Sequence, residues 1–182
     1  FNRFAGFGMP PAKNGDYAWF LHLLASINDK GKAAIILPHG ILFRGNSEET
    51  IRKQIIDRKY IVGIVSLPAN LFYGTGIPAC IVVIDKENAD KHEGIFMIDA
   101  SRDYMKDGNK NRLREQDIER IIRTFNNKEE IKGYSRMVTY EEIMEKNDGN
   151  LNVPRYIQPI DNGLTHNVEA HLLGGIPNTD IE

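Results

Sequence analysis

The stretch Asn70 to Ile84, "NLFYGTGIPACIVVI", decides how the middle of this 182-residue chain folds. Its "GTGIPA" fits the glycine pattern G-x-G-x-x-G/A of a dinucleotide-binding loop. A pyrophosphate needs such a loop to open a helix, because the free N–H groups and the helix dipole bind the phosphates. The residues that follow, Ala79 to Ile84, are apolar and rich in β-branched side chains, which predicts a buried strand instead. The sequence therefore disfavours a phosphate-binding role for these glycines.

Two more apolar runs precede this strand, Lys32 to Pro38 and Tyr60 to Pro68. Both are continuous rather than alternating, which is typical of strands covered on both faces of a parallel sheet. A helical pattern lies between them, with a buried stripe expected from Ile51, Ile55 and Ile56. Strand, helix and strand make a βαβ unit, which we expect to be parallel and right-handed.

The connection from the second run to Ala79 is about ten residues long and has no helical pattern. A parallel crossover needs a dozen or more residues, usually including a helix. We therefore expect the strand Ala79 to Ile84 to run antiparallel to its predecessor. The sequence predicts an α/β fold in which a parallel unit ends in a reversed hairpin.

Further helices, a strand and a C-terminal arm are expected elsewhere along the chain. The predicted N-caps are Asp16, Asn46 with Glu49 as a capping box, and Thr139 with Glu142 for a short helix. The other elements are helices at Tyr17 to Asn28, at Asn111 to Asn126 with Ile118, Ile121, Ile122 and Phe125 on one face, and at Val168 to Leu173, and a strand at Gly94 to Ser101. Residues 148–182 are expected to form an extended arm after a domain that spans residues 1–147.

Composition bounds the possible partners and the cellular compartment. Lys and Arg number 23 against 25 Asp and Glu, a net charge of −2, so any nucleic-acid contact must be local. The single cysteine, Cys80, excludes a disulfide framework and a Cys-rich metal site. No signal peptide, glycosylation acceptor or long apolar span is present, which predicts a cytoplasmic protein with no membrane contact. The first residue, Phe1, suggests a piece of a longer polypeptide.

Five segments taken in order resemble one known family. They are "DYAWFLHLLASI" (16–27), "GKAAIILPHGILFRGNSEETIRKQI" (31–55), "IVSLPANLFYGTGIPACIVVIDK" (64–86), "FMIDAS" (96–101) and "LNVPRYI" (151–157). The family is the modification (M) subunit of type I restriction-modification systems, an S-adenosylmethionine-dependent DNA adenine N6-methyltransferase. The likeness runs to the end of the chain, where "NVEAHLLGGIPNTDI" is similar to the segment that follows the catalytic domain and leads to a subunit-contacting region.

The resemblance implies a doubly wound, Rossmann-like sheet with strand order 3-2-1-4-5-7-6 and a reversed seventh strand. Residues 1–147 would be the C-terminal part of the catalytic domain, and so the C-terminal half of that sheet. Lys32 to Pro38 would be strand five, Tyr60 to Leu67 strand six, and Ala79 to Ile84 strand seven in the slot between them. That slot would explain the apolar character of the last strand on both faces.

The resemblance also implies S-adenosylmethionine as cofactor, and double-stranded DNA, a specificity subunit and a restriction or motor subunit as partners. The family binds the donor with a glycine-rich loop and the target amine with an Asn-Pro-Pro-Phe/Tyr motif, both upstream of the matched region. The only Pro-Pro pair here is in "GMPPA", Gly8 to Ala12, where Met9 replaces the Asn and Ala12 the aromatic residue. We therefore predict no catalytic residue and no metal ligand in this chain, which is expected to be inactive by itself.

Phe72, with Tyr73 beside it, matches the ring that related amino-methyltransferases place before strand seven. To methylate N6 an enzyme must take adenine out of the duplex, which costs a few kcal/mol. A stacked aromatic ring returns about 1–3 kcal/mol, so one ring largely offsets that cost. Gly74 and Gly76 would let the loop bend and let the base approach. The alternative is that Phe72 only caps the core beneath a hairpin.

The turn Pro38, His39 and Gly40 follows a strand that is expected to be parallel, and its carboxyl end is where ligands bind in open α/β sheets. His39 is a candidate for contact with DNA or donor, or else a structural hydrogen-bonding group. Arg44, before the next helix, is a candidate contact to the DNA backbone. The alternative is that Arg44 is a solvated surface residue.

A basic segment, "RDYMKDGNKNRLR", is the best candidate for further contact with the DNA backbone. Its cations are Arg102, Lys106, Lys110, Arg112 and Arg114, and two aspartates reduce its local net charge to +3. The alternative is an ordinary charged loop that faces water.

Two other functions compete with the methyltransferase. The first is a noncatalytic module that docks subunits through the arm or binds DNA. The second is a nicotinamide oxidoreductase built on "GTGIPA", which requires a helix after Ala79 and is contradicted by the β-branched run.

Overall fold

The computed structural model describes residues 2–159, which form one five-stranded sheet, a separate hairpin and three α-helices. The α-helices are α1 (Asp16–Ser26), α2 (Ser47–Asp57) and α3 (Glu115–Asn127), and the strands are β1 (Lys32–Pro38), β2 (Ile61–Ser66), β3 (Ala79–Asp85), β4 (Gly94–Asp99), β5 (Met105–Asp107), β6 (Lys110–Arg112) and β7 (Ser135–Thr139). No helix within residues 2–159 has both the length and the apolar composition needed to cross a membrane.

The reversed strand β3 lies between β1 and β2 and is antiparallel to both. Pro38 of β1 is opposite Ala79, and Ser66 of β2 is opposite Cys80, so β1 and β2 run in the same direction. The antiparallel strand, its place in the slot and the order of the three strands are therefore confirmed. With a helix on the way from β1 to β2, this is the C-terminal half of a doubly wound sheet.

The sheet does not end at the reversed hairpin. The full order is β1-β3-β2-β4-β7, where β4 is parallel to β2 and β7 is antiparallel to β4. The strand expected at Gly94 to Ser101 is confirmed as β4. Because β4 lies at the centre of the β2, β4 and β7 group, its residues Ile95, Phe96 and Ile98 are fully buried.

The two faces of the sheet are covered differently. The first face, which includes Ile64, Val82 and Met97, packs against α1 and α2 in the main core. The second face, which includes Val65, Phe96 and Ile98, packs against α3. On the second face the β1 end has little cover among the described residues, and the Ile36 side chain is 52% exposed. The expectation that β1 is covered on both faces was therefore wrong for this chain.

The charged segment after β4 forms the hairpin β5–β6 and not the start of a helix. Helix α3 begins at Glu115, four residues later than expected, because Asp117 accepts hydrogen bonds from the backbone and side chain of Arg114 in a capping box. The capping box expected at Asn46 is wrong, since Asn46 has a positive φ of 57° and makes no side-chain cap. The N-cap of α1 is Gly15, one residue before Asp16.

The expected cap at Thr139 is present. The N–H of Glu142 donates to Thr139 Oγ1 at 3.1 Å, at the start of the short π-helical turn Glu142–Lys146. Beyond this turn the chain returns to the main core, where Leu151 N–H donates to Leu42 O at 2.8 Å. The predicted domain boundary after residue 147 stays a prediction. Residues 160–182, including the expected helix at Val168 to Leu173, lie outside the described residues.

Candidate functional site

Phe72 lies in the loop from β2 to β3, at the carboxyl ends of the parallel strands β1 and β2. Its ring is 40% exposed and lines two neighbouring depressions of about 500 and 410 Å³. The larger one also contains Ile36, Leu71, Ile81, Leu113, Ile118 and Ile122, and the smaller one Leu37, Pro38, Thr75, Ile77 and Pro78. The ring therefore stands at the rim of an apolar cleft and is not packed in the interior.

Tyr73 has a different environment from its neighbour. Its side chain is 94% exposed and lines neither depression. The two aromatic residues that the sequence singled out are therefore not equivalent, because Phe72 alone already forms part of a wall against which a flat ring could stack.

Glycine is favoured at positions 74 and 76 of the loop for two different structural reasons. Gly74 has a φ of +79°, and a Cβ on it would meet no atom within 4 Å, so its backbone conformation and not crowding favours glycine. A Cβ on Gly76 would lie 2.9 Å from Asn70 Oδ1. Gly76 therefore allows the returning chain to pass close to the start of the loop, as expected of a tight bend.

His39 links the carboxyl ends of β1 and β2 to the start of β3. Its Nε2 lies 3.1 Å from Ser66 Oγ, and its backbone N–H donates to Pro78 O at 3.2 Å. Desolvation by burial lowers the pKa of His39, against smaller opposing effects of Ala79 and Asp99. The neutral imidazole is the form that fits this partly buried position. These contacts link the ends of β1 and β2 to the segment before β3, while contact of His39 with DNA or donor stays a prediction.

Arg44 lies against Gly40, where a Cβ would come within 2.3 Å of Arg44 Nε. Its guanidinium donates to Asp16 Oδ2 at 2.6 Å and to Glu48 Oε1 at 3.0 Å. Burial alone lowers the pKa of Arg44, but the hydrogen bond to Asp16 and the charge of Glu48 outweigh it and raise that pKa. Two carboxylates thus already compensate the charge, and contact of Arg44 with the DNA backbone stays a prediction.

The five cations of the basic segment have different surroundings. The guanidinium groups of Arg102, Arg112 and Arg114 lie 3.8 Å from Asp99, 3.3 Å from Asp107 and 2.9 Å from Asp117. Lys106 is exposed, and its ammonium lies 5.9 Å from the centre of the Tyr104 ring. Lys110 instead donates hydrogen bonds to carbonyl groups of the Phe72 loop. Contact of all five with the DNA backbone stays a prediction.

The sequence reasoning missed the contacts between the hairpin and the Phe72 loop. The dipeptide Gly108-Asn109 forms the two-residue turn, and Gly108 has the positive φ that the first position of a type II′ turn requires. The partners across space, 35 to 42 residues apart, have no local signal. Ser66, which bonds His39, was also missed because a serine that ends an apolar strand is not distinctive.

The cleft does not fit the whole methyl donor by itself. S-adenosylmethionine has a ribose, an ammonium and a carboxylate, and each needs a polar partner when bound. In the smaller depression beside Pro38, Thr75 is the single polar residue in the lining, and the larger depression adds Asn111 and Arg112. The apolar walls fit the face of a base better than the polar groups of the donor. The donor-binding glycine loop of the family is also missing from this sequence.

Comparison with known proteins identifies the relatives of this chain. Residues 1–163 match the family model described as N-6 DNA Methylase. The chain is 38% identical over 165 residues to the type I restriction enzyme MjaVII methylase subunit of Methanocaldococcus jannaschii. That alignment covers 88% of this chain and 28% of that protein. It is 37% identical over 149 residues to the type I restriction enzyme MpnII methylase subunit of Mycoplasma pneumoniae. That alignment covers 82% of this chain and 27% of that protein.

A solved structure has the same fold. The methyltransferase subunit of a type I restriction-modification system from Streptococcus thermophilus superposes with a TM-score of 0.80 at 38% identity, over 86% of this chain and 33% of that chain. This chain therefore spans about a third or less of the length of its relatives. The matched part is the region that contains the slotted strand and the Phe72 loop.

Proposed function

Because this chain belongs to the N-6 DNA methylase family, we propose that it forms the C-terminal half of the catalytic domain of a DNA adenine N6-methyltransferase. The parent protein would use S-adenosylmethionine as donor, within a type I restriction-modification complex. In this proposal the chain supplies the wall that receives the target base. The glycine loop and the Asn-Pro-Pro-Phe/Tyr motif would come from the rest of the parent protein, and the chain alone would be inactive.

The single observation that carries this proposal is the position of Phe72. The ring is half-exposed, it borders an apolar cleft, and the cleft opens at the carboxyl ends of β1 and β2. Ligands bind at this edge in open α/β sheets. A ring that only capped the core would be buried and would leave no open wall beside it.

An adenine in the cleft would stack on Phe72 and lie near Pro38. Taking the base out of the duplex costs a few kcal/mol, and stacking on one aromatic face returns about 1–3 kcal/mol. Apart from Thr75, the side chains that line the depression beside Pro38 are apolar, so they would desolvate the base faces without competing for its hydrogen-bonding edge. The edge would remain free for the motif that holds the amine.

DNA would contact the protein beside this cleft. The exposed Lys106 and Arg112 lie on the hairpin that adjoins the Phe72 loop. Lys and Arg side chains that neutralise phosphates supply most of the sequence-independent affinity for DNA. A specificity subunit would choose the target sequence, and a restriction or motor subunit would complete the complex. The docking-module alternative has no stronger support than this proposal.

The proposal is tested in the full-length protein encoded by the reading frame that contains this chain, co-expressed with its specificity subunit. We expect Phe72→Ala to lower kcat/KM for N6-methyladenine formation by about 10-fold to 100-fold, the range that loss of one stacked base implies. Phe72→Trp should retain most of the activity, because an indole also offers a flat face. Methyl transfer to unmodified DNA, measured by mass spectrometry of the nucleosides, gives the rate.

Tyr73→Ala is the matched control, because it removes the adjacent ring from a position that is almost fully exposed. We expect it to change kcat/KM by less than about 3-fold, as for a surface substitution away from the site. Equal activity of Phe72→Ala and wild type would refute the stacking role. Absence of any N6-methyladenine with the wild-type protein would refute the proposed function itself.

A further inference from the structure

The hairpin β5–β6 touches the Phe72 loop through two consecutive residues of β6. Lys110 Nζ donates to Phe72 O at 2.7 Å and to Thr75 O at 3.3 Å. Asn111 N–H donates to Asn70 O at 2.9 Å, and Asn111 Nδ2 donates to Ala69 O at 2.7 Å. Four hydrogen bonds thus join the hairpin to the carbonyl groups of one short loop.

These four bonds account for carbonyl groups that the sheet cannot satisfy. The loop has irregular backbone, with positive φ at Asn70 and Gly74, so its carbonyls cannot pair in a strand ladder. An ammonium has three N–H donors, and two of those of Lys110 are used here. Lys110 therefore bridges the two ends of the turn that presents Phe72. Its position differs from that of a lysine free to reach a phosphate.

The burial of the two residues agrees with a supporting role. Asn111 is 6% exposed, and the larger depression is lined by both Asn111 and Phe72. Lys110 is half-buried, whereas Lys106, on the opposite strand of the hairpin, is exposed. Lys106 lies directly opposite Asn111 across the hairpin, and it is β6, through Lys110 and Asn111, that makes the four hydrogen bonds to the loop.

We infer that Lys110 and Asn111 are positioning residues, which fix the backbone of the loop so that Phe72 stands ready at the cleft rim. The inference rests on the proposed function for the role of Phe72, but the link between hairpin and loop is independent of it. A loop of this length with few internal contacts would otherwise sample many conformations. The loop would lose this conformational freedom when a base stacks on the Phe72 ring, and the entropy cost would weaken binding.

The first experiment measures the mobility and solvent exposure of the ring at position 72 in the 182-residue chain without DNA. The chain has a single Trp, and Trp19 is 68% exposed, so Trp19→Phe with Phe72→Trp makes the loop ring the only indole. In this background we expect Lys110→Met to lower the fluorescence anisotropy and to increase acrylamide quenching. Lys110→Arg should restore both, because a guanidinium can donate to the same two carbonyls. Lys106→Met, in the same hairpin, should change neither.

The second experiment uses the full-length protein with its specificity subunit. A positioning role predicts that Lys110→Met lowers kcat and leaves the salt dependence of DNA affinity unchanged. A phosphate contact predicts instead that the slope of log affinity against log salt falls by about 1. A lowered slope with unchanged kcat would overturn the inference.

The outcomes separate this inference from the proposed function. Unchanged anisotropy in Lys110→Met would overturn the positioning role, even if Phe72→Ala abolished methylation. If the indole becomes mobile in Lys110→Met, the link between hairpin and loop is supported. If Phe72→Ala also methylates DNA at the wild-type rate, the stacking role of Phe72 is refuted while that link stands.

Discussion

The two faces of the sheet differ in how completely this chain covers them. Ile64 and Val82 on the first face are fully buried beneath α1 and α2, whereas Ile81 and Val83, which flank Val82 in β3 and lie on the second face, are only half-buried. On that second face α3 covers β2 and β4, and Ile36 of β1 remains more than half exposed. The same apolar sequence pattern therefore gives a closed core on one face and an open surface on the other.

The difference shows that the second face needs cover that residues 2–159 do not supply. Ile118 and Ile122 of α3 are 44% and 53% exposed and face the same depression as Ile36. Together they form a contiguous apolar surface, which is uncommon on an isolated soluble domain unless it binds something. In the proposed methyltransferase, the rest of the catalytic domain would cover the part at Ile118 and Ile122, and the part at Phe72 and Pro38 would stay open for the base.

The largest effect on the free energy of unfolding is expected when isoleucine is replaced by alanine on the first face of the sheet and the loss is compared with the same replacement on the second face. Ile64→Ala should lower the free energy of unfolding by about 2–5 kcal/mol, since it opens a cavity in the closed core. Ile36→Ala, on an exposed position of the edge strand, should change it by less than about 0.5 kcal/mol. Urea unfolding of the chain measures both values. Equal losses at the two sites would break the comparison between the faces.

An intermediate effect is expected where α3 does seal the second face. A Cβ on Gly63 would lie 2.2 Å from Cε2 of Phe125, so Gly63→Ala must displace that ring. Overpacking of this kind costs about 1–3 kcal/mol in the free energy of unfolding. Gly45→Ala is the matched control, because its Cβ would lie 3.7 Å from Glu49 Oε2, an ordinary contact. A neutral Gly63→Ala would show that α3 is only loosely seated.

The smallest expected effect concerns pH at the edge where the strands end. Burial holds the pKa of His39 below that of an unfolded histidine, so the unfolded chain binds more protons near pH 6. The contribution of His39 to stability should be present above about pH 6.5 and lost as the pH falls below it. Urea unfolding of wild type and His39→Gln at two pH values checks this. The advantage of wild type should shrink on acidification, and an advantage that grew would contradict a dry environment for the ring.

The fold was predictable where short-range constraints decide it. The connection to β3 is too short for a parallel crossover, and this alone predicted that β3 is antiparallel to β2. The place of β3 between β1 and β2 was implied by the family resemblance. The exposure of Ile36 was not predictable in this way. A continuous apolar run indicates that a strand is covered on both faces in its working state, but it does not indicate which part of the protein supplies the cover.

The candidate site was predictable only in part. The position of Phe72 before the reversed strand follows from the order of segments, and the structure places the ring beside Pro38 as a cleft requires. The role of Lys110 was not predictable, since its partners are carbonyl groups far away in sequence. Charge alone had placed Lys110 with the DNA contacts. Backbone carbonyls, which every residue has, give no sequence signal of their own.

The slotted position of β3 also has a consequence for synthesis on the ribosome. Among the described strands, β1 pairs only with β3, so it has no partner in this part of the sheet until the segment up to Asp85 has emerged. At about 5–20 residues per second, translation leaves the apolar β1 segment waiting for a few seconds. During that interval the edge of β1 that will pair with β3 has unpaired N–H and C=O groups, and an apolar edge of this kind can pair with another chain.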